Sequence, residues 1–205
     1  MNKFIRLGSE VRVSDPCYDN QVWCKTQLKN VLPGRFKVDV EQTNSGSWGV
    51  RNSILLLRHE DYVGKNLVWE EHSEIGVDSG QAGIFCESSY RKDDLEFTTP
   101  EVDFNISFDK EGDKWYEKIC KFTLSGDHWG SYETGVVSSS GYGDGSYPLD
   151  IVRDNSGNIV GMKITFIEDE EEAEDDDDYD TCPECWDSMD WGESLCDNCK
   201  ELQKE

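Results

Sequence analysis

Apolar and polar positions alternate along much of this chain. In "RFKVDVE" (35–41), Phe36, Val38 and Val40 fall on one side and Arg35, Lys37, Asp39 and Glu41 on the other. "CKFTL" (120–124) sets Cys120, Phe122 and Leu124 against Lys121 and Thr123, and "VGMKITF" (160–166) sets Val160, Met162, Ile164 and Phe166 on one face. Period two predicts strands with one wet face. "NSILLLRHE" (52–60) is a denser apolar run and predicts a buried strand. "RDNSGN" (153–158) lies between "PLDIV" and "NIVGMKITF" and predicts a hairpin turn. Helical periodicity is weak, and "ESSYRKDDLEF" (87–97) offers a short helix. "GDHWGSY" (126–132) reads as a turn, and Ser138, Ser139 and Ser140 with Gly141 as a mobile lead-in to the glycine-rich stretch that follows. Short strands with turn chemistry between them predict a mainly β domain, a β-sandwich or partial barrel. No repeat of solenoid type is present.

Charge divides the chain. The 205 residues carry a net −24, but residues 168–180, "EDEEEAEDDDDYD", hold eleven acids and no base. Residues 181–205 add −5, which leaves −8 for residues 1–167. The expected organisation is a globular domain over 1–167, an acidic linker over 168–180 that cannot bury apolar surface, and a small module over 181–205. A mildly acidic body repels nucleic-acid phosphates and anionic membranes, so neither is an expected partner. Lys110, Lys114, Lys118 and Lys121 are the densest basic group, and Asp109, Glu111, Asp113 and Glu117 dilute them. No apolar run approaches the ~18–20 residues of a membrane span. The first residues lack the apolar core of a secretory signal. The expected compartment is the cytoplasm.

Eight cysteines are present. Cys17, Cys24, Cys86 and Cys120 are scattered, whereas Cys182-x2-Cys185 and Cys196-x2-Cys199 form two tight pairs ten residues apart. Each CxxC turn aims two thiolates at one point, and two turns complete a tetrahedral site. One structural zinc ion is the expected cofactor, in a minimal zinc ribbon; an iron site of rubredoxin type is the alternative. Four thiolates leave no open coordination position, so the ion is expected to fold the module rather than to catalyse. Trp186 and Trp191 lie inside this loop, as its miniature core or as a face for a partner.

Three aspartates stand beside turn residues: Asp15 in "SDPCYD" (14–19), Asp78 in "GVDSGQAGIF" (76–85) and Asp144 in "GYGDGSYPL" (141–149). Each fits a side chain capping a tight turn. Together they also fit a ligand site of hard oxygens for a divalent cation. Tyr142 and Tyr147 are expected to clamp the glycine-rich turn against the core. Trp48, Trp69, Trp115 and Trp129 are read as core or rim aromatics. His59, His72 and His128 sit in no metal or acid–base spacing, and "GYGDGS" lacks the lysine of a P-loop. Cys17 and Cys86 have apolar neighbours and read as filler rather than nucleophiles.

Several of these motifs, in order, resemble the domain-of-unknown-function 4241 family and its phage-borne relatives. The chain carries Asp15-Pro16, "LPGRFKV" (32–38), "VDSGQAGIF" (77–85), "YGDGSYPL" (142–149) and the closing "GNIVGMKITF" (157–166). The resemblance spans about residues 10–167. It implies a compact β-rich fold in a bacterium or its phage, and it implies no mechanism. Where the family often places an aspartate after the aromatic of its second motif, this chain has Cys86. The four-cysteine tail lies outside the pattern.

Three functions follow as expectations. The first is a protein-binding accessory protein whose acidic arm carries a zinc ribbon to its partner. The second is a metal-dependent hydrolase built on Asp15, Asp78 and Asp144. The third is an acidic mimic of nucleic acid.

Overall fold

The computed structural model describes residues 3–19, 22 and 24–168. The chain divides after Glu168 into two units, and every described residue lies in the first. The four-cysteine module and nearly all of the acidic tract lie outside the described residues.

Eleven strands and one α-helix are described. They are β1 (Lys3–Leu7), β2 (Glu10–Ser14), β3 (Thr26–Lys29), β4 (Gly34–Asn44), β5 (Val50–His59), β6 (Glu70–Val77), β7 (Gln81–Cys86), α1 (Asp113–Thr123), β8 (Trp129–Tyr132), β9 (Gly135–Ser139), β10 (Gly145–Arg153) and β11 (Ile159–Thr165). They form two antiparallel sheets, ordered β1-β4-β5-β11-β10-β6 and β3-β2-β7-β9-β8. Neither sheet closes into a barrel.

The main core takes side chains from both sheets. Leu55, Leu57, Leu149, Ile151, Met162 and Ile164 come from the six-stranded sheet, and Val11, Val13, Ala82, Ile84 and Val136 from the five-stranded one. A second core lies on the other face of the five-stranded sheet, where Phe85 and Val137 meet Trp115, Ile119 and Phe122 of α1. Strand β7 is therefore buried on both faces. That is why "AGIF" (82–85) reads as a continuous apolar run instead of an alternating one.

The alternating segment at 35–41 lies in β4, with Phe36 and Val38 buried and Val40 partly so. The dense run at 52–60 falls in β5, in the middle of its sheet. The turn at 153–158 joins β10 to β11. The Asp154 carboxylate accepts the N–H groups of Ser156 and Asn158 at 2.8 and 2.9 Å, and Gly157 takes the positive φ of 83° that the turn requires.

Four expectations fail. "CKFTL" is the end of helix α1, not a strand. Over a longer window the buried apolar residues are Trp115, Ile119, Cys120 and Phe122, at helical spacing, while Leu124 is exposed. Five residues are too few to separate period two from 3.6. Residues 87–97 form a single 3-10 turn, Glu87–Ser89, followed by irregular chain in which Arg91 sits at φ 53°. Glu87 is drawn to Arg12, and Arg91 reaches back to the carbonyls of Pro16 and Cys17, so tertiary contacts override local helical preference. "GDHWGSY" turns only over its first residues before entering β8. Ser138 and Ser140 are not a mobile lead-in; they are 0% and 1% exposed.

Of the four tryptophans, Trp115 is core, Trp69 and Trp129 are half-buried, and Trp48 is exposed beside Tyr142, 6.0 Å between ring centroids. No helix among the described residues is long and apolar enough to cross a membrane.

Candidate functional site

The three aspartate motifs meet. Asp15 follows β2 and is wholly buried. Its Oδ1 accepts the Cys17 N–H at 2.8 Å and the Ser79 hydroxyl at 2.6 Å; its Oδ2 accepts the N–H groups of Asp78 and Ser79 at 2.9 and 2.7 Å. One carboxylate thus closes its own turn and caps the β6–β7 turn, sixty-odd residues away in sequence. Asp144 does the same from the third motif, with its Oδ1 accepting the Gly80 N–H at 2.9 Å. Ser140 completes the joint by donating its N–H to the Gly80 carbonyl at 3.0 Å.

The glycine-rich stretch is clamped from within. The Tyr147 hydroxyl lies 2.9 and 2.7 Å from the carbonyls of Ser140 and Gly143, and the Ser140 hydroxyl donates to the Gly143 carbonyl at 2.7 Å. Tyr147 therefore does clamp the turn, whereas Tyr142 is exposed. Gly141 is at φ 56°, and a Cβ there would meet Ile167 at 2.8 Å, so glycine is required both by backbone and by space.

Convergence does not place the three carboxylates in one coordination sphere. Asp15 has four accepted hydrogen bonds and no exposure, so its oxygens are committed to the scaffold. Among the described residues, no group of three or more His, Cys, Asp and Glu side chains could hold a metal ion.

Asp78 and Asp144 do share something else. Both line a cavity of about 890 Å³ beside the paired ends of β6 and β10, where Gly145 faces Val77 and Ser146 faces Gly76. Glu74 of β6 adds a third carboxylate, and Ser146 donates its hydroxyl to Glu74 at 3.1 Å. Tyr18, Val22 and Cys24 form a further wall. That wall is tied to β6 by the Gly76 N–H, which donates to the Cys24 carbonyl at 3.1 Å. A Cβ on Gly76 would approach the Cys24 Cβ to 3.1 Å, so glycine lets the wall close in. Among the described residues, no basic side chain lines the cavity and none of its three carboxylates has an ion-pair partner.

The Cys17 and Cys120 thiols and the Tyr18 phenol are shifted toward their neutral forms. Burial, then the Asp15 charge and hydrogen bond, push the Cys17 thiol well above its ordinary value. Burial likewise raises Cys120, and burial with hydrogen bonds to Cys24 and Asp78 raises the Tyr18 phenol. A thiol held protonated is a poor nucleophile.

Glu74 and Cys24 lie outside the three motifs, and Tyr18 and Ser146 lie inside them without having been singled out. Glu74 had one available signal: in "EEHSEIGV" it alternates outward against Ile75 and Val77, beside the Asp78 turn. No family model matches the chain, no curated protein matches it, and no solved structure matches it.

Proposed function

We propose that this is a binding protein rather than a catalyst, and that the acidic cleft takes a cationic group, an amine or guanidinium, presented by a protein partner. The observation that carries the reading is the cleft's lining: Glu74, Asp78 and Asp144 line one cavity, with no basic side chain among its described lining residues. Like charges in a concave wall focus their field and raise the local concentration of a cation. Carboxylates pair with a guanidinium through charge-assisted, often bidentate bonds. Tyr18, Val22 and Val77 supply apolar surface for the stem of a lysine or arginine.

The Cys182, Cys185, Cys196 and Cys199 spacing supports the rest of the proposal. A zinc ribbon on the acidic arm gives the partner a second, tethered contact, and a self-repelling arm is extended and has reach. On the family resemblance the setting is the bacterial cytoplasm, or the host cytoplasm of a phage, and the body is a β-sandwich. The hydrolase reading on Asp15, Asp78 and Asp144 is weaker, because Asp15 is spent on backbone amides. The mimic reading is weaker too, because the densest charge lies in residues 168–180 and not on the body.

Titration calorimetry of the full chain tests this, with a lysine- and arginine-containing peptide against its counterpart of acetyl-lysine and citrulline. The paired variants are Glu74→Gln and Asp144→Asn; in the latter, the amide oxygen of the new side chain still accepts the Gly80 N–H, so the turn is kept. Binding is expected to favour the cationic peptide and to fall roughly tenfold in each variant, a loss of about one charge-assisted contact, with unchanged melting. Equal affinity for the two peptides would sink the reading. Pull-downs with and without residues 168–205 test the arm, which fails if the partner set is the same.

A further inference from the structure

Three large apolar side chains left in water gather at one end of the six-stranded sheet. Trp48 is 61% exposed, Val50 58% and Tyr142 56%. Trp48 ends the 3-10 turn Gly46–Trp48 at the tip of the β4–β5 hairpin, Val50 opens β5, and Tyr142 lies in the turn before β10. The registers explain the meeting. Asn44 faces Val50, Ile54 faces Thr165, Ile164 faces Leu149, and Val77 faces Gly145. The hairpin tip, the start of β10 and the end of β6 therefore share one end of the sheet, the end that also carries Asp78 and Asp144. Single exposed apolar side chains are ordinary, whereas a cluster of them marks a surface for a partner.

The cluster stands on fixed backbone. The Gly46 N–H donates to Asn44 Oδ1 at 3.2 Å, the Trp48 N–H to the Ser45 carbonyl at 3.2 Å, and Arg51 Nε to the Trp48 carbonyl at 2.9 Å. Tyr142 belongs to the turn that Tyr147 and Ser140 clamp. A partner that covers both rings therefore pays little ordering entropy. Charge says what the cover is. Residues 42–53 hold no Asp or Glu, and Arg51 is their one charged side chain. Its guanidinium already lies 5.8 Å from the centroid of the Trp48 ring. It repels a second cation from that ring, so the cluster takes an apolar group.

We propose that the cluster is the second half of the partner's binding surface: the segment whose cation enters the acidic cleft lays a leucine-like or aromatic side chain on Trp48, Val50 and Tyr142. This rests on the cationic-partner reading of the cleft and adds what else that partner carries. One turn joins the two halves. Tyr142 and Asp144 are two residues apart, so their Cα atoms lie within ~7.6 Å of each other, and the Trp48 and Tyr142 centroids are 6.0 Å apart. An extended chain advances ~6.6 Å for every two residues on one face. The apolar residue of the partner stands two or four positions from its basic one.

Calorimetric titration of the full chain tests this with three peptides. The first has one arginine flanked on both sides by leucine at the second and fourth positions. The second has serine at those four positions, and the third is the serine peptide with citrulline for arginine. The leucine peptide is expected to bind roughly tenfold tighter than the serine peptide. Trp48→Ala is expected to remove most of that advantage, with melting as in wild type because the ring is mostly in water. Val50→Thr keeps the strand and nearly the same shape, and it is expected to reduce the advantage in the same direction. Equal affinity for the serine and citrulline peptides sinks the cationic reading, and this proposal with it. Serine binding above citrulline, with leucine no tighter than serine, overturns the apolar half alone. A leucine advantage that Trp48→Ala and Val50→Thr both leave whole does the same.

Discussion

Asp15 shows how one residue fixes a joint. Its carboxylate is buried and accepts three backbone amides and one hydroxyl from two segments. An ionised carboxylate offers about four acceptor positions, and here four are used. Asparagine has the same shape but turns an NH₂ group toward donors. Asp15→Asn is therefore expected to strand buried N–H groups and cost ~3 kcal/mol. For a domain of this size that lowers Tm by roughly 6–12 °C, measured by calorimetry. A shift of a degree or two would mean that the joint is held by something else. The Asp-Pro and Asp-Ser-Gly signals were legible as turns. That one carboxylate serves both turns was not, because nothing local records a bond between residues 15 and 79.

At the scale of elements, legibility follows the range of the forces. Strands β4 and β11 and the hairpin between β10 and β11 were readable because alternation and turn chemistry are local. Helix α1 was missed because its cap lies elsewhere. Its N-cap is Gly112, at φ 91° and without a side chain, and Asp93 supplies the acceptors from nineteen residues upstream. The Asp93 oxygens accept the Gly112 and Trp115 N–H groups at 2.9 and 3.0 Å. Burial pushes this carboxyl up; the Trp115 and Gly112 amides and the nearby Lys114 outweigh it, and the net value is lowered. A carboxyl lowered in the folded state contributes stability above its unfolded value, near ~3.9. That contribution is lost as pH falls through the lower folded value. Asp93→Asn is expected to melt below wild type at neutral pH, by about 1 kcal/mol, and the gap is expected to narrow as pH drops below about 4. Melting curves against pH decide it: a gap that does not change with pH removes the charge from the account of the cap.

At the scale of the molecule, charge is partitioned along the chain, and the proposed zinc module can be measured separately from the body. The described body has a saturated carboxylate at Asp15, thiols shifted toward their neutral forms at Cys17 and Cys120, and among its described residues no three-ligand metal group. Zinc bound by the whole chain is therefore expected at the paired cysteines at 182, 185, 196 and 199. On that proposal, metal binding would supply much of the folding energy of a module of about 25 residues. Metal analysis of the full chain is expected to give one zinc per chain, and Cys185→Ser or Cys196→Ser is expected to abolish it. Cys17→Ser is expected to keep the zinc, since burial and a hydrogen bond to Asp15 favour that thiol's protonated form. The contrast separates the two cysteine populations. Loss of zinc in Cys17→Ser would place a ligand in the body and reopen the metal reading of the aspartate joint, whereas retention leaves the cleft free of metal and its carboxylates available to a cationic partner.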